Sequence, residues 1–225
     1  MIKTVIFDLD GVVVNSEPVH QRLEYDMYLE LGLDIPREMR KTFVGTSAMD
    51  LWRMIIEKYS LNKTPEELLD MGRGRYLDIV KTGRVPLVDG VLDLIKLLQE
   101  NGYSLLLASS ATSKTITEVL RWFNLDEVFK VFVGGDQVSR SKPNPEIFLK
   151  TAELGNVRPS ECLVIEDAYN GVFAAKEAGM YCIGFQSHYT GEQDLNMADV
   201  IVMKLCDITL DMIKQINYGV FRKTT

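Results

Sequence analysis

Apolar positions along this chain fall into two periods. Short continuous apolar runs of strand length occur at Val5 to Phe7, Ser104 to Ala108, Val131 to Val133, Cys162 to Ile165, Tyr181 to Gly184 and Val200 to Val202. Between most of them lie stretches of helical period. Residues 15 to about 84 break this alternation, because helical period alone runs through them. Strands alternating with helices imply a parallel sheet covered on both faces. The pattern therefore predicts an α/β, doubly wound parallel sheet with an inserted all-helical cap domain. The core takes residues 1–14 and 85–225, and the cap takes residues 15–84.

Punctuation supports the helices of the insert. Ser16, Glu17 and Pro18 open one that runs to about Leu31 and stops at Gly32. Pro36 opens a second. Ser47 caps a third through about Tyr59, with Leu51, Met54, Ile55 and Lys58 at helical spacing. Thr64-Pro65-Glu66-Glu67 combines an N-cap, a first-turn proline and acids, and starts a fourth toward Lys81. In the core, helices are expected from Asp89 to Asn101, Lys114 to Phe123, Pro145 to Leu154, Asn170 to Ala178 and Leu210 to Ile216. A helical module inserted at the edge of a sheet where ligands bind suits a lid.

Composition narrows the class. The 225 residues are 46% hydrophobic and 25% charged, ordinary for a globular chain, and carry a net charge of −7. No basic stripe offers a nucleic-acid footprint. An acidic chain that handles an anionic substrate needs a local positive site, which directs attention to single lysines, metal ligands and backbone N–H clusters. The three cysteines, Cys162, Cys182 and Cys206, contain no CxxC pair and read as reduced thiols. No apolar run reaches the roughly 18 residues of a membrane span, and no signal-peptide pattern opens the chain. The expectation is a cytoplasmic monomer without nucleic-acid or membrane partners. Met180, Met49, Met54 and Trp52 read as packing residues.

The chemistry gathers at the strand ends. The first run breaks into Asp8-Leu9-Asp10-Gly11. Gly11 turns the chain and leaves both carboxylates at the carboxyl edge of the sheet, where open α/β sheets bind ligands. Two nearby carboxylates stay charged only beside a cation, and Mg2+ takes oxygen ligands and bridges to phosphate. Ser109-Ser110 follows the second run, where a hydroxyl and backbone N–H groups suit phosphate oxygens. Lys142, in Ser141-Lys142-Pro143-Asn144-Pro145, can act as a point charge on phosphate. Glu166-Asp167 ends the fourth run and suits metal coordination. Taken singly, these positions read equally as solvated acids, helix caps and a surface lysine.

Together, in this order, they resemble the four motifs of the haloacid dehalogenase superfamily. The resemblance covers essentially the whole chain, including the helical insert. Gly-Val-Val-Val-Asn-Ser-Glu-Pro after Asp10, Ser-Lys-Pro-Asn-Pro-Glu-Ile-Phe and Glu-Asp-Ala-Tyr-Asn-Gly-Val are similar to its branch of β-phosphoglucomutases and sugar-phosphate phosphatases. The resemblance implies a Rossmann-like core and catalytic residues Asp8, as nucleophile, and Asp10, as general acid and base. It implies phosphate binding by Ser109, Ser110 and Lys142, and Mg2+ held around Asp8, Asp10, Glu166 and Asp167. The dehalogenase branch lacks the second aspartate and the metal, so Asp10 argues against it.

The cap distinguishes water from a sugar hydroxyl as phosphoryl acceptor. His20 matches a histidine that assists acid/base switching in the mutases, and reads equally as a residue of an amphipathic helix. Gly45-Thr46-Ser47 matches the substrate loop of the cap. The mutases carry an arginine there for a second phosphate; this chain has Ala48, and Asp78 aligns with a mutase lysine. Arg53, Arg73 or Arg75 could substitute. The expected function is a Mg2+-dependent phosphatase acting on a small phosphorylated metabolite such as a sugar phosphate. A β-phosphoglucomutase-type phosphotransferase is the alternative. A catalytically silent interaction domain ranks third, because every core catalytic position is filled.

Overall fold

The computed structural model describes residues 1–41, 43, 48–187, 191 and 193–219. The chain divides into two compact units, one of residues 1–17 and 85–225 and one of residues 18–84.

In the first unit, six strands form one sheet: β1 (Thr4–Phe7), β2 (Ser104–Ser109), β3 (Phe132–Gly134), β4 (Cys162–Glu166), β5 (Tyr181–Phe185) and β6 (Val200–Val202). Their spatial order is β3-β2-β1-β4-β5-β6, and every pairing is parallel. The expected doubly wound sheet is thus present. Both faces of the inner strands are buried, which is why β1 and β4 read as unbroken apolar runs rather than as alternation. On one face, Ile6, Leu106, Ala108 and Val164 pack with Ile147 and Phe148 of α7 (Glu146–Leu154) and with Ala174 and Ala175 of α8 (Tyr169–Glu177). On the other face Phe7 meets Phe129 edge-on, with ring centroids 5.5 Å apart. The remaining helices of this unit are α5 (Val91–Glu100), α6 (Ser113–Trp122) and α9 (Leu210–Asn217).

Register places the chemistry. Phe7 pairs with Leu107 on one side and with Ile165 on the other. Asp8, the end of β2 and Glu166 therefore emerge at one level of the sheet, beside the point where strand order reverses. Beyond β1 the chain turns tightly: Gly11 N–H donates to Val14 O (2.8 Å), and Val13 and Val14 N–H both donate to Leu9 O. Val14 then pairs antiparallel with Leu87 of the returning segment, flanked by Asn15 N–H to Pro86 O and Val88 N–H to Val13 O.

The second unit contains α1 (Glu17–Glu30), whose first residue belongs to the other unit, α2 (Arg37–Lys41), α3 (Ala48–Tyr59) and α4 (Pro65–Val80). Thr64 forms the capping box that its sequence announced. Its hydroxyl accepts from Glu67 N–H, and the Glu67 carboxylate accepts from Thr64 N–H. The core gathers Met27, Tyr28, Ile35, Leu51, Trp52, Ile55 and Leu68. One expectation fails here: Met54 is 41% exposed. Trp52 shifts the buried stripe of α3 round toward Leu51, Trp52 and Ile55, and at 100° per residue Met54 falls at its margin. Trp52 and Met180 are buried, as expected. No described helix is long and apolar enough to cross a membrane.

Candidate active site

Lys142 is the centre of the site. Its side chain is only 7% exposed, although it comes from the loop before α7. The ammonium donates to Asp8 Oδ1 (2.5 Å), Glu166 Oε1 (2.6 Å) and Ala108 O (3.2 Å), which uses all three of its hydrogens. Its nitrogen also lies 5.0 Å from the Phe148 ring centroid. Burial depresses a lysine, but here Asp8 and Glu166 overcome it and hold the ammonium above its ordinary value.

Asp8 stands one residue past β1, its N–H still donating to Ile165 O (3.0 Å). Burial pushes its carboxyl up; Lys142 opposes this, while Glu166 and Asp10 add to it, and the result is about 8. The short contact to Lys142 does not reverse the direction, because one ammonium is shared between two carboxylates. Asp167 is also held well above the usual carboxylate range, by burial first and then by Glu166 and Asp8.

The acids that follow β4 take different surroundings. Both oxygens of Glu166 are engaged: Oε1 by Lys142, and Oε2 by Ala168 N–H at 3.0 Å. A Cβ at Gly171, in the first turn of α8, would run into the Glu166 carboxylate, so only glycine lets that acid sit there. Asp167 is buried, and its Oδ2 has no hydrogen-bond partner. It faces Gly11, whose φ of +79° and lack of Cβ allow the close approach. Asp10, in the turn after β1, is half-buried.

This donor set fits a divalent cation. Asp8, Glu166 and Asp167 gather at the Lys142 ammonium, and one buried carboxylate oxygen is orphaned. Among the described residues no three or more His, Cys, Asp or Glu side chains are placed together to hold a metal ion on their own. Mg2+ is commonly held by one or two carboxylates, with water and substrate oxygens completing its sphere.

Ser109 is the last residue of β2 rather than the first of the turn, and it is buried. Its Oγ accepts from Ala111 N–H (3.0 Å), which leaves the O–H to donate. Ser110 is exposed, and its carbonyl abuts Gly135, where a Cβ would clash. Two anchors escaped the sequence reading. Asp136 Oδ1 accepts from Ser113 N–H (2.7 Å) and from its Oγ–H (2.8 Å), tying the end of β3 to the start of α6. Burial works against this carboxyl, but those bonds keep it below its ordinary value. The run Gly134-Gly135-Asp136 after an apolar strand was its signal. The second anchor is Glu146, in the loop that carries Lys142.

In the inserted unit, His20 is exposed on α1 with its ring stacked on Tyr76, centroids 4.2 Å apart. Arg53, Arg73 and Arg75 pair with Asp50, Asp70 and Glu30. Thr46 and Ser47, with Gly45, lie outside the described residues.

Comparison with known proteins bears on this geometry. Residues 5–185 match the family model described as haloacid dehalogenase-like hydrolase. The chain is 29% identical over 214 residues to hexitol phosphatase B of Escherichia coli (strain K12), covering 92% of this chain and 95% of that protein. It is 28% identical over 220 residues to the β-phosphoglucomutase of Bacillus subtilis (strain 168), covering 95% of each. Among solved structures, CbbY from Rhodobacter sphaeroides in complex with phosphate superposes with a TM-score of 0.78 at 25% identity, over 92% of this chain and 96% of that one.

Proposed function

The chain belongs to the haloacid dehalogenase-like hydrolases, in their β-phosphoglucomutase-like branch, and from that premise we propose that it is a Mg2+-dependent phosphatase of small phosphate monoesters, sugar phosphates above all. The observation that carries this reading is the Lys142 ammonium, buried against Asp8 at the carboxyl edge of the sheet. A cation beside a carboxylate nucleophile is what transfer of an anionic phosphoryl group requires, since that chemistry rests on positioning and charge neutralisation.

In the proposed reaction, an Asp8 carboxylate oxygen forms a bond to phosphorus as the bond to the substrate alcohol breaks. Asp10 gives the departing oxygen its proton. Asp10 then takes a proton from water, whose oxygen attacks the aspartyl phosphate and releases inorganic phosphate, restoring Asp8. The Ser109 O–H donates to a non-bridging oxygen, with Ser110 at the same turn, and the Lys142 ammonium does so by exchanging one of its present acceptors for a phosphoryl oxygen. Asp8, the Asp10 carbonyl and Asp167 would hold Mg2+, which supplies positive charge that keeps Asp8 ionised and shields the phosphoryl group. Glu166, both oxygens occupied, orients Lys142. Selection of acceptor and substrate we assign to the inserted unit, to His20, Thr46 and Ser47.

With Mg2+ and a panel of phosphate esters, the purified protein is expected to release inorganic phosphate, fastest from sugar or polyol phosphates. A mutase needs a cation for a second phosphate, and Arg53, Arg73 and Arg75 are each committed to an acid. Conversion of β-glucose 1-phosphate to the 6-phosphate with a bisphosphate primer, without phosphate release, would establish the mutase instead.

The raised carboxyls give a second expectation. A carboxyl held at about 8 when folded stabilises the metal-free protein at low pH and loses that contribution as pH rises toward 8. A divalent cation replaces the missing protons. Mg2+ should therefore raise Tm more at about pH 8 than at about pH 5, and Asp167→Ala should remove most of that difference. An equal or larger Mg2+ effect at the lower pH, read by scanning calorimetry, would count against the metal assignment.

A further inference from the structure

Lys142 is fixed at its tip by Asp8 and Glu166, but its backbone belongs to the connection of eleven residues, 135–145, between β3 and α7. One side chain closes that loop. Glu146, the first residue of α7, accepts from Ser139 N–H at Oε1 (2.8 Å), and from Ser139 Oγ–H (2.6 Å) and Arg140 N–H (3.1 Å) at Oε2. One turn on, Lys150 donates to Gln137 O (2.5 Å), and Gln137 Oε1 accepts from Gly134 N–H (2.8 Å). Within the loop, Asn144 N–H donates to Ser141 O and Asn144 Oδ1 accepts from Glu146 N–H, both at 3.0 Å. Ser139 and Arg140 before Ser141-Lys142, and Asn144 after it, are thereby held to Glu146 at the start of α7. That helix also carries Phe148, against which the ammonium lies.

We infer that Glu146 is a positioning residue for Lys142, a clasp that delivers the ammonium to the strand ends without touching the reacting atoms. The inference rests on the phosphoryl-transfer role proposed for Lys142. An ordinary first-turn acid would favour α7 through its dipole wherever its carboxylate pointed. This one turns back onto two backbone N–H groups and a hydroxyl of the lysine loop. Those bonds hold its carboxyl below the ordinary value, with Lys150 adding to them. A lysine that must meet two carboxylates at once tolerates little displacement, since misplacement by about 1 Å can cost about 10²-fold in rate.

Glu146→Ala and Glu146→Gln test this in the full chain with Mg2+. The alanine variant is expected to lower kcat and kcat/KM together, by about 10- to 100-fold, because the lost interaction serves the transition state. The glutamine variant, which keeps one acceptor oxygen, should recover part of that loss, and it carries the measurement if the alanine variant does not fold. Combined with Lys142→Met, loss of Glu146 should add nothing further. Reductive methylation followed by mass spectrometry supplies a readout independent of activity: Lys142 should label about tenfold faster in the variants than in the wild type, against Lys176 as reference. Unchanged labelling of Lys142, or a fall in activity that adds to that of Lys142→Met, would overturn the clasp. Absence of phosphate release by the wild type would defeat the functional reading alone, and the labelling would still decide whether Glu146 holds Lys142.

Discussion

Asp8→Asn is expected to abolish phosphate release, with kcat falling at least about 10⁴-fold, while the metal-free protein becomes more stable. The two effects share one cause. Asparagine keeps the shape of the side chain and the oxygen that accepts from Lys142, so the fold has no new cavity to absorb. What it removes is the carboxylate proposed as the nucleophile, one of the acids gathered at the Lys142 ammonium. In the wild type that carboxyl is pushed up to about 8, so near neutral pH it is folded at the expense of a proton that the unfolded chain would not bind. An amide has no such penalty. Each kcal/mol relieved should raise Tm by about 2–4 °C for a chain of this size. The Mg2+ effect on Tm should shrink in the same variant, since a ligand is lost. Residual turnover within tenfold of the wild type would remove Asp8 from the nucleophile's role. A fall in Tm would show that the carboxyl is needed for packing and not merely tolerated.

The strand ends were legible in the sequence because strand and chemistry are encoded side by side. Val5 to Phe7 is fully apolar and Asp8 follows at once; Cys162 to Ile165 is apolar and Glu166-Asp167 follows. Parallel pairing then brings those ends together at one level of the sheet, with no further information needed. How the pair Glu166-Asp167 divides its work was not legible. Successive residues at a strand end point to opposite sides, and only the positions of Lys142, Ala168 and Gly11 show that one acid is saturated and the other has an orphaned oxygen. Lys142 itself read equally as a surface residue, because burial of an ammonium depends on acids that lie 134 and 24 residues away. Glu146 was hidden for a related reason: a polar side chain that binds a loop backbone leaves no periodicity. In the inserted unit, helical period gave the helices, but one aromatic residue, Trp52, was enough to rotate the buried stripe away from Met54.

Lys142→Met should be the most destabilising of the single substitutions proposed at the strand ends. Methionine fills the space of the lysine stem and keeps the contact with Phe148, so the packing change is small. The electrostatic change is large. Asp8 and Glu166 are 9% and 2% exposed at their side chains and lose their shared partner. Removing one member of a buried ion pair costs about 3–5 kcal/mol, because the remaining charge has no water to turn to. For a chain of this length that corresponds to a Tm lowered by roughly 6–20 °C. Exposed pairs such as Arg53–Asp50 and Arg73–Asp70, more than half exposed on both sides, set the contrast. Their removal should cost less than about 1 kcal/mol. Activity should fall about 10³-fold, as expected when a cation is withdrawn from a transferring phosphoryl group. The two losses can be separated. Adding Glu166→Gln to Lys142→Met removes an uncompensated buried charge, and should restore much of the Tm while leaving the enzyme inactive. If the double variant is no more stable than the single one, the instability comes from packing, and the charge argument fails. If the single variant keeps its kcat, Lys142 is a structural tie and the phosphoryl group must find its positive charge elsewhere.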